Sequence, residues 1–284
     1  MFSAFKKFGK LGALASSVAR AWSPLSLWPN GIDSPGMWIS PRTLDSEWQD
    51  YTGTTPVVTP GTVADTSNPV GLALDIRAGA TVLTDPGNHM LQSTSAARPL
   101  MSAYDGQTLG PGDTYSSTGY PIFQKYDGVD DGMATATFPA GTLIDGMDCM
   151  IPVRRDGSAE TIAGLANELT DSTKYFGACL TSDGESAKNC GSPTAWVDGV
   201  QVAGGTNVRR DVLNAALTPN EFHILEYRNL DLSTWTQLFF GRAYTGYYFI
   251  GARGDILLFP STDSTEDKDA ARQYLADYYG VTLP

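Results

Sequence analysis

The chain has 284 residues, a formal net charge of −12, 18% charged residues and only two histidines. Such an acidic chain argues against nucleic acid as the main partner, and no apolar run approaches the ~20 residues that span a bilayer. The 30 glycines, 17 prolines and 13 tyrosines are typical of an all-β sandwich with many turns, and the length can bury a sizeable core.

Residues 1–28 predict a separate N-terminal unit, because apolar residues recur there at helical spacing between lysines and no acid is present. The residues concerned are Phe2, Phe5, Lys6, Lys7, Phe8, Lys10, Leu11 and Leu14. Four interpretations are open: a cleaved signal peptide, a membrane-surface helix, a helix packed on its own domain, and a docking tail ordered inside an assembly. We favour the docking tail, because a free terminus is usually disordered unless something holds it.

Residues 25–75 carry a series of short motifs. In chain order they read LSLWPNG (25–31), GMWISP (36–41), WQD (48–50), GTTPV (53–57) and PVGLALD (69–75). Trp38 and Ile39 predict a strand after a Pro-Gly turn, and Leu44 with Trp48 predicts the edge of a β-sandwich. Taken together, the motifs resemble a widespread N-terminal segment of tailed-phage structural proteins, which implies a place in the virion.

Residues 87–99 extend this resemblance with the motifs GNH (87–89) and AARP (96–99). His89 is either a ligand or catalytic base, or a hydrogen-bonded structural histidine. We favour the structural role, because no Ser, Cys or Glu constellation accompanies it. Arg98 precedes Pro99, so we expect an extended backbone there and a guanidinium paired with a carboxylate.

The segment FQKYDGVDDGM (123–133) also matches the family and predicts a strand, an acidic turn and a second strand. Carboxylates of Asp127, Asp130 and Asp131 are of the type that calcium prefers, so a calcium site is one interpretation. The spacing is not that of an EF-hand loop, and Asp also stabilises turns by accepting hydrogen bonds from nearby amides. We favour turn chemistry over a metal site.

Residues 134–260 predict most of the sandwich, because short β-type runs alternate with turn signals. The expected strands are 134–138, 148–153, 161–165, 175–180, 195–197, 200–202, 222–227, 236–241 and 247–259. Asp198 and Gly199 suit the tight turn of a hairpin. His223 alternates with Phe222 and Ile224, which predicts a position facing solvent or the concave face.

The last twenty residues predict one amphipathic helix. Ser264 suits the N-cap, with Asp267 as the acidic member of a capping box, and Gly280 suits the C-terminal cap. The helix reads ARQYLADYYG (271–280), and this ending resembles the close of concanavalin A-like (laminin G-like) jelly-roll domains in phage virion proteins. The WVDG hairpin (196–199) is similar to one in the same domains.

Three cysteines show no zinc spacing, and at least one is unpaired. A bridge between Cys179 and Cys190 and free thiols are both open, and we favour free thiols. The common catalytic motifs of hydrolases, metalloproteases and nucleotide-binding enzymes are absent from the sequence. We therefore expect no enzymatic activity, although a site assembled from separate loops remains open.

An aromatic cluster with one arginine is the candidate glycan site, since aromatic faces stack on sugars and arginine binds hydroxyls. It consists of Trp235, Arg242, Tyr244, Tyr247 and Tyr248. Alternatively, alternate members of this cluster belong to the core.

The sequence thus predicts an all-β, concanavalin A-like jelly-roll sandwich with an N-terminal extension and a short C-terminal helix. Residues 1–28 form the docking extension and 29–284 the sandwich domain, with N-terminal strands and loops at 29–100 and the main sandwich at 121–284. The resemblance implies a phage virion subunit in an appendage or decoration, bound to other virion proteins and self-associating into a homo-oligomer, with host-surface glycan as a further partner. A secreted bacterial lectin and a polysaccharide depolymerase are the alternatives. We expect no cofactor, with calcium as the one open exception.

Overall fold

The structure is a computed structural model that describes residues 22–43, 46–57, 69–103, 121–139, 141–156, 165–178, 184–204, 209–243 and 248–284. Within these ranges the chain is mostly β, with two antiparallel sheets and two α-helices. The strands in chain order are β1 (Met37–Ile39), β2 (Glu47–Trp48), β3 (Leu72–Ala73), β4 (Met90–Leu91), β5 (Leu100–Ala103), β6 (Ile122–Asp127), β7 (Met133–Thr135), β8 (Asp145–Arg155), β9 (Ala166–Glu168), β10 (Tyr175–Phe176), β11 (Thr194–Val197), β12 (Val200–Gly204), β13 (Phe222–Asp231), β14 (Leu238–Phe240), β15 (Ile250–Arg253) and β16 (Ile256–Pro260). The helices are α1 (Arg210–Ala216) and α2 (Thr265–Tyr279).

The larger sheet runs in the order β12-β11-β13-β8-β15-β6-β5. Its central strand β8 also pairs with β16, which in turn pairs with β1. The smaller sheet runs in the order β10-β9-β14-β7-β4-β3-β2. The two sheets pack face to face, so the predicted all-β sandwich is confirmed, while the jelly-roll connectivity stays a prediction.

The core between the sheets follows from the period of two in each strand. In β8, Met147, Cys149, Ile151 and Val153 belong to the cluster of buried residues that fills the sandwich. The smaller sheet contributes its own alternate residues, including Phe176, Ala166, Phe240, Met133 and Met90. One large apolar cluster therefore serves both sheets.

One buried polar network crosses this core. Gln124 on β6 donates from Nε2 to Oε1 of Glu47 on β2 at 2.9 Å, and it accepts from the buried Arg253. Burial raises the pKa of the Glu47 carboxyl to about 8, against the opposing effects of the Arg253 charge and the Gln124 hydrogen bond. The bond between Gln124 and Glu47 joins one sheet directly to the other.

A third layer covers the opposite face of the larger sheet. Phe123, Phe222 and Leu257 on that face pack against Leu275 and Tyr279 of α2 in a second buried cluster. The N-terminal residues Leu27 and Trp28 belong to the same cluster, and the Trp28 indole donates to the Leu258 carbonyl at 3.1 Å. The molecule therefore has three layers. The smaller sheet is the first, the larger sheet is the second, and α2 together with the N-terminal segment is the third.

Helix α2 begins and ends where the sequence predicts. The Ser264 hydroxyl oxygen accepts from the Asp267 N–H at 3.1 Å, which satisfies one of the free amides of the first turn. Gly280 has φ 69° and closes the helix in the left-handed conformation. Arg272 reaches the fully buried Glu226 on β13 through two nitrogens, and this ion pair fixes the helix on the sheet.

A buried carboxylate ties the two ends of the described chain together. Asp255, between β15 and β16, accepts from the Trp38 indole at 3.2 Å, from Arg42 at 3.0 Å and from the Tyr279 hydroxyl at 3.0 Å. The glycines at 251 and 254 predict breaks within the strand region 247–259, and the structure divides it at Gly254 and Asp255 into β15 and β16. Burying the Asp255 side chain among donors explains the break.

Other predictions differ from the structure in detail. The expected strand at 161–165 lies outside the described residues except for Leu165. Strand β9 begins at Ala166, and α1 was not predicted. His223 is 9% exposed, so the first of its two predicted positions, facing solvent, is wrong, and the concave face stays a prediction. Cys190 is a free thiol that donates to the Tyr175 carbonyl, so it forms no bridge with Cys179, which lies outside the described residues along with Leu44.

Candidate functional site

A polar cleft lies where three segments that are distant in sequence each lead into a strand. Residues 32–35 precede β1 and residues 87–88 precede β4. Pro139, Gly141 and Thr142 lie between β7 in the smaller sheet and β8 in the larger. The cleft has a volume of about 370 Å3. This is near the lower end of the volumes of small-molecule sites.

Two of the three walls are held by one buried ion pair. Arg77 and Asp75 have fully buried side chains and approach to 2.7 Å. Arg77 Nη1 donates to the Ser34 carbonyl at 2.7 Å, which fixes the first wall. Asp75 Oδ2 accepts from the Asn88 N–H at 3.0 Å, which fixes the second. The cleft is therefore pre-organised by the fold.

The polar groups of the cleft are mostly hydrogen-bond acceptors. Asn88 donates its Nδ2 to the Gly36 carbonyl at 2.6 Å, so its Oδ1 is the amide atom left for a ligand. Asp33 is exposed, and within the described residues its carboxylate has no hydrogen-bond or ion-pair partner. Thr142 adds a hydroxyl in a turn closed by its own N–H to the Pro139 carbonyl at 3.1 Å.

The apolar part of the lining consists of Ile32, Pro35 and Pro139. Proline rings and a branched aliphatic chain present fixed C–H surfaces, which suit the C–H face of a ligand. Asn88 belongs to a motif that sequence reasoning singled out, but Asp33 and Thr142 were missed. An isolated Asp and Thr in turns carry no sequence signal, and only the fold brings them together.

Both histidines of the chain have structural hydrogen bonds at each ring nitrogen. His89 Nδ1 accepts from the Asp75 N–H at 3.0 Å, and its Nε2 donates to the Asp85 carbonyl at 2.8 Å. His223 Nε2 accepts from the Thr218 N–H at 2.9 Å, and its Nδ1 donates to Asp198 Oδ2 at 2.6 Å. The structural role predicted for His89 is confirmed.

The predicted aromatic glycan site divides in the structure. Trp235 is 4% exposed, packs on Phe176 in the core and donates its indole to the Asn189 carbonyl at 3.3 Å. Its predicted role as a stacking surface is therefore wrong, because the ring is buried between the sheets. Arg242 lies over the Phe239 ring at 4.6 Å and over Tyr248 at 6.0 Å, so these two predicted residues are neighbours. Tyr244 and Tyr247 lie outside the described residues.

The three acidic residues of the predicted turn do converge. Ligand atoms of Asp127, Asp130 and Asp131 all lie within 4.8 Å of one another. Asp127 Oδ1 accepts from the Val129 N–H at 2.8 Å, and Asp131 Oδ2 accepts from the Asp127 N–H at 2.8 Å. These bonds are the turn chemistry that the sequence favours, and the calcium interpretation stays a prediction.

Burial raises the pKa of the Asp131 carboxyl to about 7. The hydrogen bond from the Asp127 N–H acts in the opposite direction, and the carboxylates of Asp127 and Asp130 add to the rise. Asp131 is 5% exposed, so its charged form loses most of its hydration. This turn therefore holds one carboxyl that titrates near neutral pH.

Several of the motif residues that carry the phage resemblance have structural roles. The Asp50 carboxylate accepts from the Thr54 N–H at 3.2 Å and from the Thr55 N–H at 2.7 Å, which closes the loop of the GTTPV motif. Arg98 donates to the carbonyls of Gln92 and Gln49, each at 3.0 Å. The carboxylate partner predicted for Arg98 is therefore wrong, because backbone carbonyls take its place.

The predicted docking residues between Phe2 and Leu14 lie outside the described residues. The first described residue, Trp22, packs edge-on against Tyr274 of α2, with ring centroids 5.9 Å apart. Its indole donates to Asp267 Oδ1 at 3.1 Å. The chain therefore enters the described fold on the helix layer.

Comparison with protein-family models, with curated proteins and with solved structures finds no match for this chain. Neither described helix is long and apolar enough to cross a membrane.

Proposed function

We propose that this protein is a non-catalytic structural subunit of a tailed-phage virion. Its N-terminal extension docks it to other virion proteins, and its sandwich is displayed as an appendage or decoration that binds host-surface glycan. The motifs between residues 25 and 133 and the ending at 271–280 support the virion assignment by resemblance.

One structural observation carries the docking part of the proposal. Trp22, in the last part of the extension 1–28, lies on α2 and contacts Tyr274 and Asp267. The helix layer covers one face of the larger sheet, and the smaller sheet lies beyond the core on the other side. An extension that starts on the helix layer leaves the smaller sheet free to face away from the particle.

The charge distribution supports the same arrangement. The extension holds Lys6, Lys7 and Lys10 and no acid, whereas the chain as a whole has a net charge of −12. A basic, apolar segment is attracted to an acidic groove on a partner. The same groove repels the acidic body, so the partner would bind the segment and leave the body displayed. We further propose that the displayed subunit is a homo-oligomer.

The histidine bonds support a non-catalytic role. The chain has two histidines, and every ring nitrogen of His89 and His223 is hydrogen-bonded to a described neighbour. Neither imidazole is therefore placed to activate a serine, a cysteine or a water as a general base.

Cosedimentation with particles that lack this protein tests the proposal. Full-length protein is expected to sediment with the particles, and a version lacking residues 1–21, which keeps Trp22 on α2, is expected to remain in the supernatant. Reversal of Lys6, Lys7 and Lys10 to Glu is expected to weaken binding in a salt-dependent way, because it removes charge attraction and keeps the apolar residues.

Equal thermal unfolding curves for the three proteins would show that the sandwich itself is unchanged. Binding of the truncated version as strong as that of the full-length chain would refute docking by the extension. Failure of both to bind would refute the virion assignment.

A further inference from the structure

We infer that the cleft formed by residues 32–35 and 87–88 with Pro139, Gly141 and Thr142 is a binding site for a neutral saccharide of one or two sugar units. The inference rests on the proposed function in one respect: it names the class of ligand that the displayed sandwich would bind. It assigns that ligand to residues outside the aromatic cluster around Arg242.

The hydrogen-bonding groups select hydroxyl donors. The Asp33 carboxylate and Asn88 Oδ1 only accept, and the Thr142 hydroxyl both donates and accepts. A ligand with several adjacent O–H groups can donate to the two acceptors and exchange a further bond with Thr142. Sugars present such O–H groups at fixed angles on a rigid ring.

The apolar groups select a ligand with a C–H face. Ile32, Pro35 and Pro139 line the cleft beside the polar groups. The axial C–H face of a pyranose is apolar while its rim is polar, and this matches a cleft that mixes prolines with acceptors. A cleft of about 370 Å3 sets the ligand size at one or two rings.

Three other ligand classes fit less well. An anion would meet the Asp33 carboxylate on a protein of net charge −12, with no cationic side chain in the lining. A divalent cation needs several carboxylates or carbonyls, and Asp33 is the one carboxylate of the lining. An amine would depend on the single exposed carboxylate, and an exposed ion pair contributes little.

The rigid walls reduce the cost of binding. The buried Asp75–Arg77 pair holds Ser34 and Asn88 at the same time, so both walls keep their positions without a ligand. Ordering of loops on binding lowers affinity, and this cleft avoids most of that loss. Asp75 and Arg77 are positioning residues that do not line the cleft.

The test uses full-length free protein and methyl glycosides of glucose, galactose, mannose and N-acetylglucosamine, with ethanolamine and acetate as charged probes. Backbone amide chemical shifts in NMR titrations report both the affinity and the place of binding. We expect at least one glycoside to bind and to shift amides within 32–35, 87–88 and 141–142. Neither charged probe should compete.

The variants are chosen so that the walls stay intact. Asp33→Asn is expected to weaken binding about tenfold, as for a lost bond to a charged group, and Thr142→Val about threefold. Asp277→Asn, the same change at an exposed position of α2, is the matched control and should bind like the wild type. Arg242→Ala should also leave affinity unchanged.

Three results would overturn the inference: no binding of any glycoside, tighter binding of ethanolamine than of every glycoside, or binding that is lost in Arg242→Ala and kept in Asp33→Asn. The particle assay is independent of this titration. Glycoside binding without docking would support the saccharide site and refute the virion role. Docking without glycoside binding would support the virion role and refute the saccharide site.

Discussion

At the scale of single residues, Asp131 gives the clearest prediction for pH. Its folded pKa of about 7 is above the ordinary value of 3.8, so the folded state holds this proton more tightly than the unfolded state. Its contribution to stability is therefore complete below about pH 4 and is lost as the pH rises towards and through 7. Asp131→Asn removes this titration and keeps an oxygen to accept the Asp127 N–H.

Asp131→Asn is expected to raise the free energy of unfolding at pH 8 by about 1 kcal/mol, since the group is buried in a turn near the surface, and to change little at pH 4. Urea unfolding of wild type and variant at the two pH values measures this difference. Asp277→Asn, the same change at an exposed position of α2 away from this turn, is the matched control. An Asp131→Asn variant that is less stable than wild type at pH 8 would show that the turn needs the negative charge.

Sequence reasoning at this scale succeeded where chemistry is local. Asp127 and Asp131 accept amides within four residues of their own positions, and such turn bonds follow from residue type and spacing. It failed for Arg98 and Trp235, whose partners lie elsewhere in the fold. It missed the cleft residues Asp33 and Thr142 for the same reason, since they are far apart in the chain and only the fold brings them together.

At the scale of elements, the ion pair between Arg272 and Glu226 helps to anchor α2 on the larger sheet. Arg272 on the helix bonds Glu226, which is fully buried on β13, and Arg228 donates to the same carboxylate from its own strand at 2.9 Å. When Arg272 is removed, Arg228 still compensates part of the buried negative charge of Glu226. Arg272→Met should therefore cost about 2 kcal/mol, below the 3–5 kcal/mol of a fully unpaired buried charge.

Thermal unfolding and hydrogen exchange check this prediction. Exchange should quicken in α2 and in the adjacent part of β13. Arg228→Met, which removes the other cation without touching the helix, should destabilise less and leave exchange in α2 unchanged. Equal protection of α2 in both variants would contradict an anchoring role for Arg272.

The two helices show what local sequence can and cannot predict. Helix α2 carries a capping serine, a periodic apolar face and a closing glycine, and each signal acts within the helix. Helix α1 has no side-chain cap and only seven residues, so its stability comes from packing of Leu213 in the main core. Propensity alone does not predict such a helix.

At the scale of the whole molecule, one core shared by both sheets predicts one unfolding transition. Phe240 of β14 packs on Phe176 at 6.5 Å between ring centroids and belongs to the cluster that contains strands of both sheets. Phe240→Ala is expected to cost about 3–5 kcal/mol. Within each protein, far-ultraviolet circular dichroism and tryptophan fluorescence should report one common midpoint, and that midpoint should be lower in the variant than in the wild type.

The exposed change Val129→Ala in the acidic turn is a control that should leave the midpoint unchanged, because Val129 is 69% exposed. Separate midpoints for the two probes would mean that the sheets unfold independently. The two-layer arrangement was predictable from alternation and turn spacing. The division of strands between the sheets was not, because register depends on contacts between distant segments.

The placement of Trp22 on α2 also determines how the molecule bears mechanical load. A pull on the N-terminal segment enters at Trp22 and Trp28 and passes through the Leu258 carbonyl into β16, which pairs with the long central strand β8. β1 pairs antiparallel with β16, and the hydrogen bonds of such a ladder lie perpendicular to the strands, so a pull along β1 loads them together. The load therefore reaches the larger sheet and the helix first, and the smaller sheet receives it through the shared core and the bond between Gln124 and Glu47.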